Sequence, residues 1–128
     1  MGAARTEYSD DEYRAFEKVH IRESLKNREV DEAELDSFLR RVFYLAFDST
    51  RSAEYRRLKD RIRLLQQELQ LPDRIIYYLA TPPAMYELIP ACLKENGMNV
   101  AGSEDGWRRV IVEKPFGTSL ESAESTII

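Results

Sequence analysis

The chain has 128 residues, 43% hydrophobic and 33% charged, and its 19 basic and 23 acidic side chains leave a formal net charge of −4. That length suits one ordinary domain and is short for two, and the balance is that of a globular chain rather than a disordered one. The mild negative charge argues against nucleic-acid or membrane partners, and the single cysteine, Cys92, excludes an internal disulfide and leaves too few thiols for a zinc site.

No charged-then-apolar leader opens the chain and no apolar run approaches membrane-spanning length, so the cytoplasm is the default compartment. Met1-Gly2-Ala3-Ala4-Arg5 reads as the tail of a strand. Ser9 followed by Glu12 is a capping box, with Tyr8 and Tyr13 at staple spacing, so a helix opens at about Asp10. Tyr13, Phe16, Val19 and His20 share one face of it. His20, the only histidine, has no triad or metal-ligand spacing around it and reads as a boundary residue. The pattern breaks at Asn27 and resumes at Asp31 as a short helix, with Ala33, Leu35, Phe38 and Leu39 apolar. Its acidic start and its Arg40-Arg41 end suit the helix dipole. Val42-Phe43-Tyr44-Leu45-Ala46 follows as a short buried strand.

Between residues 52 and 69, Tyr55, Leu58, Ile62, Leu65 and Leu69 recur at alternating three and four, the stripe of one packed helix. Arg56, Arg57, Lys59, Arg61 and Arg63 fill much of the remainder and read as a solvated outer face rather than a phosphate-binding surface. Pro72 ends this helix. Ile75-Ile76-Tyr77-Tyr78-Leu79-Ala80 is a strand that stops sharply at Thr81-Pro82-Pro83. The prolines start a helix whose buried stripe is Met85, Tyr86, Ile89 and Leu93, with Gly97 as its cap. Pro90 inside that helix predicts a kink, since its ring clashes with the carbonyl of Tyr86. After a loop, Trp107-Arg108-Arg109 leads to Val110-Ile111-Val112, a β-branched run of the kind buried on both faces. Two strands joined by one helix make a βαβ unit. Thr118 with Glu121 is a further capping box, where another helix begins.

The last strand ends in Glu113-Lys114-Pro115-Phe116-Gly117. Ligands of open α/β sheets sit beyond the carboxyl ends of the strands, so Lys114 is presented at a site there. The plain alternative is a solvated loop lysine.

Taken together, Tyr78-Leu79-Ala80-Thr81-Pro82-Pro83, then Tyr86, then Val110 to Gly117 resemble the glucose-6-phosphate dehydrogenase family, in which Glu-Lys-Pro-Phe-Gly is a specific signature. Gly2-Ala3-Ala4-Arg5 and Ser9-Asp10-Asp11-Glu12 extend the resemblance over nearly the whole chain. It implies a Rossmann-like coenzyme-binding domain, incomplete because the first βα unit with its glycine-rich loop is missing. Residues 1–117 then form a partial NAD(P)-binding domain, and 118–128 start a truncated following helix. The implied reaction is hydride transfer from carbon 1 of glucose 6-phosphate to NADP in the pentose phosphate pathway, by a full-length protein that is a homo-oligomer.

Residue by residue, the resemblance places Lys114 between coenzyme and substrate and makes Pro115 the residue that fixes its backbone direction. Thr81, Pro82 and Tyr86 map onto a coenzyme-contacting segment, where the tyrosine hydroxyl can donate a hydrogen bond. Thr81 stands where the family commonly has an apolar residue. Arg5 maps onto an arginine near the adenosine 2′-phosphate, which a guanidinium binds bidentately. No metal is implied.

Two departures matter. The chain contains no Gly-X-Gly-X-X-Gly, and it ends before the Asp-His-Tyr-Leu-Gly-Lys segment that carries the family's general base. The parts present orient two ligands without abstracting the proton, so the chain alone is expected to be inactive. Two other readings stay open: another NAD(P) oxidoreductase with a Glu-Lys-Pro loop at this place, and a non-catalytic interaction module built on the Tyr55 to Leu69 helix.

Overall fold

The computed structural model describes residues 1–26 and 28–113. Asn27, Lys114, Pro115 and the Thr118–Glu121 capping box lie outside the described residues. The chain divides into two compact units, Met1–Asp48 and Ser49–Ile128.

In the first unit, β1 (Gly2–Ala4) pairs in parallel with β2 (Tyr44–Ala46), Gly2 opposite Tyr44 and Ala4 opposite Ala46. Between them lie α1 (Asp10–Leu25) and α2 (Glu32–Leu39). The capping box at Ser9 forms as its residue types require. Glu12 N donates to Ser9 Oγ at 3.1 Å, and Ser9 N donates to the Glu12 carboxylate at 3.2 Å. Tyr8 reaches Tyr13 with ring centroids 6.3 Å apart, and Tyr13 stacks on the buried Tyr44 at 4.6 Å. Arg14 Nε ties α1 to the end of α2 by donating to the carbonyls of Leu39 and Val42 at 3.0 and 2.9 Å. The apolar stripe of α1 is nevertheless not buried, with Phe16 43% and Val19 54% exposed. A two-stranded sheet and a two-turn helix offer less surface than that stripe needs. His20 is exposed and lies edge-on to Phe16, as a boundary residue does.

The second unit is the βαβ arrangement. A 3₁₀ turn, Ser52–Glu54, leads into α3 (Tyr55–Glu68), followed by β3 (Arg74–Leu79), α4 (Leu88–Glu95) and β4 (Trp107–Val112). β3 and β4 are parallel, in register from Arg74 opposite Trp107 to Leu79 opposite Val112. Tyr55, Leu58 and Leu65 of α3 pack into a core with Leu79, Tyr86, Ile89, Cys92, Leu93 and Met98, while Arg56, Arg57 and Arg63 face solvent. Burial also pushes the Cys92 thiol above its usual range, which leaves it a core residue rather than a nucleophile.

Three expectations change. Prolines 82 and 83 start a 3₁₀ turn, Pro83–Met85, and the α-helix proper opens only after Glu87. Pro90 therefore falls in the first turn of α4, where no intrahelical N–H bond is lost, rather than in its interior. Neither strand is covered on both faces. Ile75, Tyr77 and Leu79 turn toward the helices, whereas Ile76, Tyr78 and Ile111 are 53%, 56% and 44% exposed. Gly97 is the cap it was read to be, at φ +67°. Gly97 N donates to Lys94 O at 3.0 Å and Met98 N to Leu93 O at 2.8 Å, a Schellman motif. No helix among the described residues is long and apolar enough to cross a membrane.

Candidate functional site at the carboxyl ends of the strands

Because Leu79 and Val112 are register partners, the chain leaves β3 and β4 at the same edge. Ala80, Thr81 and Pro82 emerge there beside Glu113, the position at which open α/β sheets hold their ligands. Thr81 Oγ1 is buried and has no hydrogen-bond partner among the described residues. Such an orphaned polar atom at a strand end fits a contact to a bound coenzyme. Pro82 is exposed and directs the chain into the 3₁₀ turn, its carbonyl accepting from Met85 N at 2.9 Å.

Tyr86 is buried, 3% exposed, and its hydroxyl donates to the backbone carbonyl of Glu113 at 2.8 Å. A phenol has one hydrogen, so the donor expected for the coenzyme is already committed. The hydroxyl oxygen keeps its capacity to accept. Tyr78, on the exposed face of β3, donates its own hydroxyl to Glu113 Oε1, and that bond raises the Tyr78 pKa above its usual value. The resemblance includes Tyr78 but assigns it no role. The pairing links residues 35 apart, and no local pattern signals it. Lys114 and Pro115, outside the described residues, follow Glu113 directly in sequence.

In the first unit, Arg5 follows β1 and Asp48 lies just past β2, both at the carboxyl end of that parallel pair. Arg5 Nη2 meets Asp48 Oδ1 at 3.4 Å, and the arginine side chain is 71% exposed. Its guanidinium is thus held at a strand end with most of its surface open to an incoming anion.

A cavity of about 460 Å³ opens within the second unit at the opposite, amino-terminal end of β3 and β4, lined in part by Lys59, Arg63, Asp73, Met98 and Arg108. Lys59 and Arg63 belong to the basic face of α3, and among the described residues none that the resemblance assigns to coenzyme or substrate lines the cavity. Among the described residues, no group of three or more histidine, cysteine or carboxylate side chains is arranged to hold a metal.

The family model for the NAD binding domain of glucose-6-phosphate dehydrogenase matches residues 1–127. A glucose-6-phosphate 1-dehydrogenase of Aggregatibacter actinomycetemcomitans is 40% identical over 127 residues, covering 98% of this chain and 24% of that protein. The Treponema pallidum enzyme of the same name is 36% identical, over 97% of this chain and 24% of its own length. Among solved structures, a glucose-6-phosphate 1-dehydrogenase from Mycobacterium avium superposes with a TM-score of 0.75 at 28% identity, covering 98% of this chain and 24% of that one. A glucose-6-phosphate dehydrogenase in complex with its substrate glucose-6-phosphate gives 0.73 at 33% identity, over 98% of this chain and 25% of that one. The chain thus spans about a quarter of the length of the relatives it matches. With its parallel strands, crossover helices and end-to-end match, it belongs to the glucose-6-phosphate dehydrogenase family and forms part of that family's Rossmann-like NAD-binding domain.

Proposed function

We propose that this chain is the coenzyme-positioning portion of an NADP-dependent glucose-6-phosphate dehydrogenase, oxidising glucose 6-phosphate at carbon 1 to the lactone in the pentose phosphate pathway. The observation that carries the reading is the shared carboxyl edge of β3 and β4, where Thr81 and Glu113 emerge together and Glu113 directly precedes Lys114. NADP, when bound, supplies the hydride acceptor. The protein's own residues bind and orient. The ammonium of Lys114 binds an oxygen of the substrate and holds carbon 1 within reach of the acceptor, and Pro115 restricts the backbone at Lys114. Thr81, Pro82 and Tyr86 contact the coenzyme, with Tyr86 as hydrogen-bond acceptor. Arg5 binds the 2′-phosphate and so sets the preference for NADP over NAD.

In this reading residues 1–117 are a partial coenzyme domain and 118–128 begin the next helix. The full-length protein is a cytoplasmic homo-oligomer. Proton abstraction falls to a histidine that this chain does not contain. The test is formation of NADPH from glucose 6-phosphate, followed by absorbance, with the chain alone and with the chain extended to the length of its relatives. Turnover by the extended protein and none by the chain alone is the expected result. An extended protein that binds NADP but oxidises a different substrate would overturn the assignment.

A further inference from the structure

We propose that Tyr78 and Tyr86 form a clamp on Glu113 that fixes the direction in which the chain leaves β4 toward Lys114, so that both tyrosines are positioning residues for the dehydrogenase reaction. The inference rests on the function proposed above and adds to it Tyr78 as a new residue and, for Tyr86, a second role besides its coenzyme contact.

The ladder between β3 and β4 ends at Leu79 and Val112, so Glu113 is the first residue of β4's exit that strand pairing does not hold. Two phenols hold it instead. Tyr86 reaches its backbone carbonyl from the buried side, at 2.8 Å, and Tyr78 reaches its carboxylate from the exposed face of the sheet. One grips the main chain and the other the side chain, from opposite faces of the strand pair. The carbonyl of Glu113 belongs to the peptide bond that carries the N–H of residue 114. The atoms of a peptide unit are coplanar, so orienting that oxygen orients the plane from which Lys114 departs. On the other side Pro115 restricts the φ and ψ available to Lys114. Two bonds from rigid rings suit this task, because a phenol loses little side-chain freedom when it is held.

Tyr77 supplies an internal control. It directly precedes Tyr78 on β3, and its hydroxyl also donates to a backbone carbonyl, that of Met98, at 2.8 Å. Tyr77→Phe removes the same kind of bond at a place remote from Glu113.

The experiment uses the chain extended to the length of its relatives, with Tyr78→Phe, Tyr86→Phe and Tyr77→Phe compared in steady-state kinetics and in amide hydrogen exchange. Each clamp variant should lower kcat about three- to tenfold, the effect of releasing one hydrogen bond on a positioned group. Tyr78→Phe should leave KM for both ligands within about twofold, while Tyr86→Phe, which also loses its acceptor for the coenzyme, should raise the coenzyme KM alongside the fall in kcat. Exchange at the Glu113 amide should quicken in both. Tyr77→Phe should leave kcat and that amide unchanged. An unchanged kcat in both clamp variants, or an equal fall in Tyr77→Phe, overturns the proposal. So does a raised coenzyme KM with unaltered kcat in Tyr86→Phe, which would make Tyr86 a direct coenzyme ligand only. Should the unsubstituted protein turn over no glucose 6-phosphate, the functional assignment fails by itself. The clamp is then decided by exchange, and equal protection of Glu113 in all three variants overturns it.

Discussion

Arg108 and Asp73 join the amino-terminal ends of β4 and β3: the arginine Nη2 donates to Asp73 Oδ1 at 2.6 Å and Nη1 to the Asp73 carbonyl at 3.0 Å. The same carboxylate accepts from Gly102 N at 2.7 Å, which ties down the loop before β4. The Arg108 guanidinium, helped by the Gly102 N–H, holds the Asp73 carboxyl below the usual carboxylate range. Because the folded pKa lies below the unfolded one, this stability is present above the ordinary carboxylate range and lost as pH falls through the depressed folded value. Asp73→Asn should therefore lower stability at neutral pH by about 1–2 kcal/mol, discounted for the pair's partial contact with water. Urea midpoints of parent and variant, compared across pH, should converge in acid. A gap that stays constant from neutral to acid pH would show that the pair contributes no charge-dependent stability.

Two glycines of the same unit separate two reasons for needing one. A Cβ at Gly106 would stand 2.7 Å from both the Ala101 Cβ and the Asp73 carbonyl, and neither can yield without moving backbone. At Gly97 the space is open, with Lys59 Nζ nearest at 3.6 Å, but φ is +67°. Gly106→Ala should cost about 1–3 kcal/mol as overpacking, and Gly97→Ala about 1 kcal/mol as backbone strain. Denaturant unfolding should rank them in that order. A milder effect at Gly106 would mean that the loop before β4 can shift freely.

What the sequence made legible was local. The Ser9 and Glu12 pair, the Gly97 cap and the three-four spacing in α3 each specify their structure within a few residues, and all three formed. The sequence puts Pro90 inside a helix begun by Pro82 and Pro83, but it lies in the first turn of α4, because helix onset depends on where the chain leaves the 3₁₀ turn, and residue types at 82 and 83 do not reveal that. β-branched composition at 110–112 suggested two covered faces, but coverage is set by elements elsewhere in space. The tyrosine contacts to Glu113 were illegible for the same reason. They join residues 35 and 27 apart, and only the register of β3 with β4 brings them together.

Coenzyme choice can be tested at Arg5 and Asp48. In the chain extended to the length of its relatives, Arg5→Ala should weaken NADP binding by about 1.5–3 kcal/mol and leave NAD nearly unaffected, since only NADP carries the 2′-phosphate. Asp48 lies 3.4 Å from that guanidinium, and its negative charge opposes an incoming phosphate. Asp48→Asn should consequently tighten NADP binding several-fold, by up to about 1 kcal/mol at an exposed pair. Dissociation constants for both coenzymes, measured by fluorescence quenching, decide it. Equal losses for NADP and NAD in Arg5→Ala would make the arginine structural.

Lys114 bears the most of the functional reading. In the extended protein Lys114→Ala should lower kcat by about a hundredfold, because a misplaced substrate loses orientation as well as the charge that steadies it. Lys114→Arg should recover only part of this, since a planar fork does not replace a compact ammonium. The clamp makes the prediction sharper. If Glu113 acts by aiming Lys114, then adding Tyr78→Phe to Lys114→Ala should cost almost nothing more, because there is no longer a cation to aim. Two independent effects would instead multiply. Kinetics of the two single variants and the double variant separate the cases. Full multiplication of the two losses would detach Tyr78 from the lysine, and an undiminished kcat in Lys114→Ala would return that residue to a solvated loop.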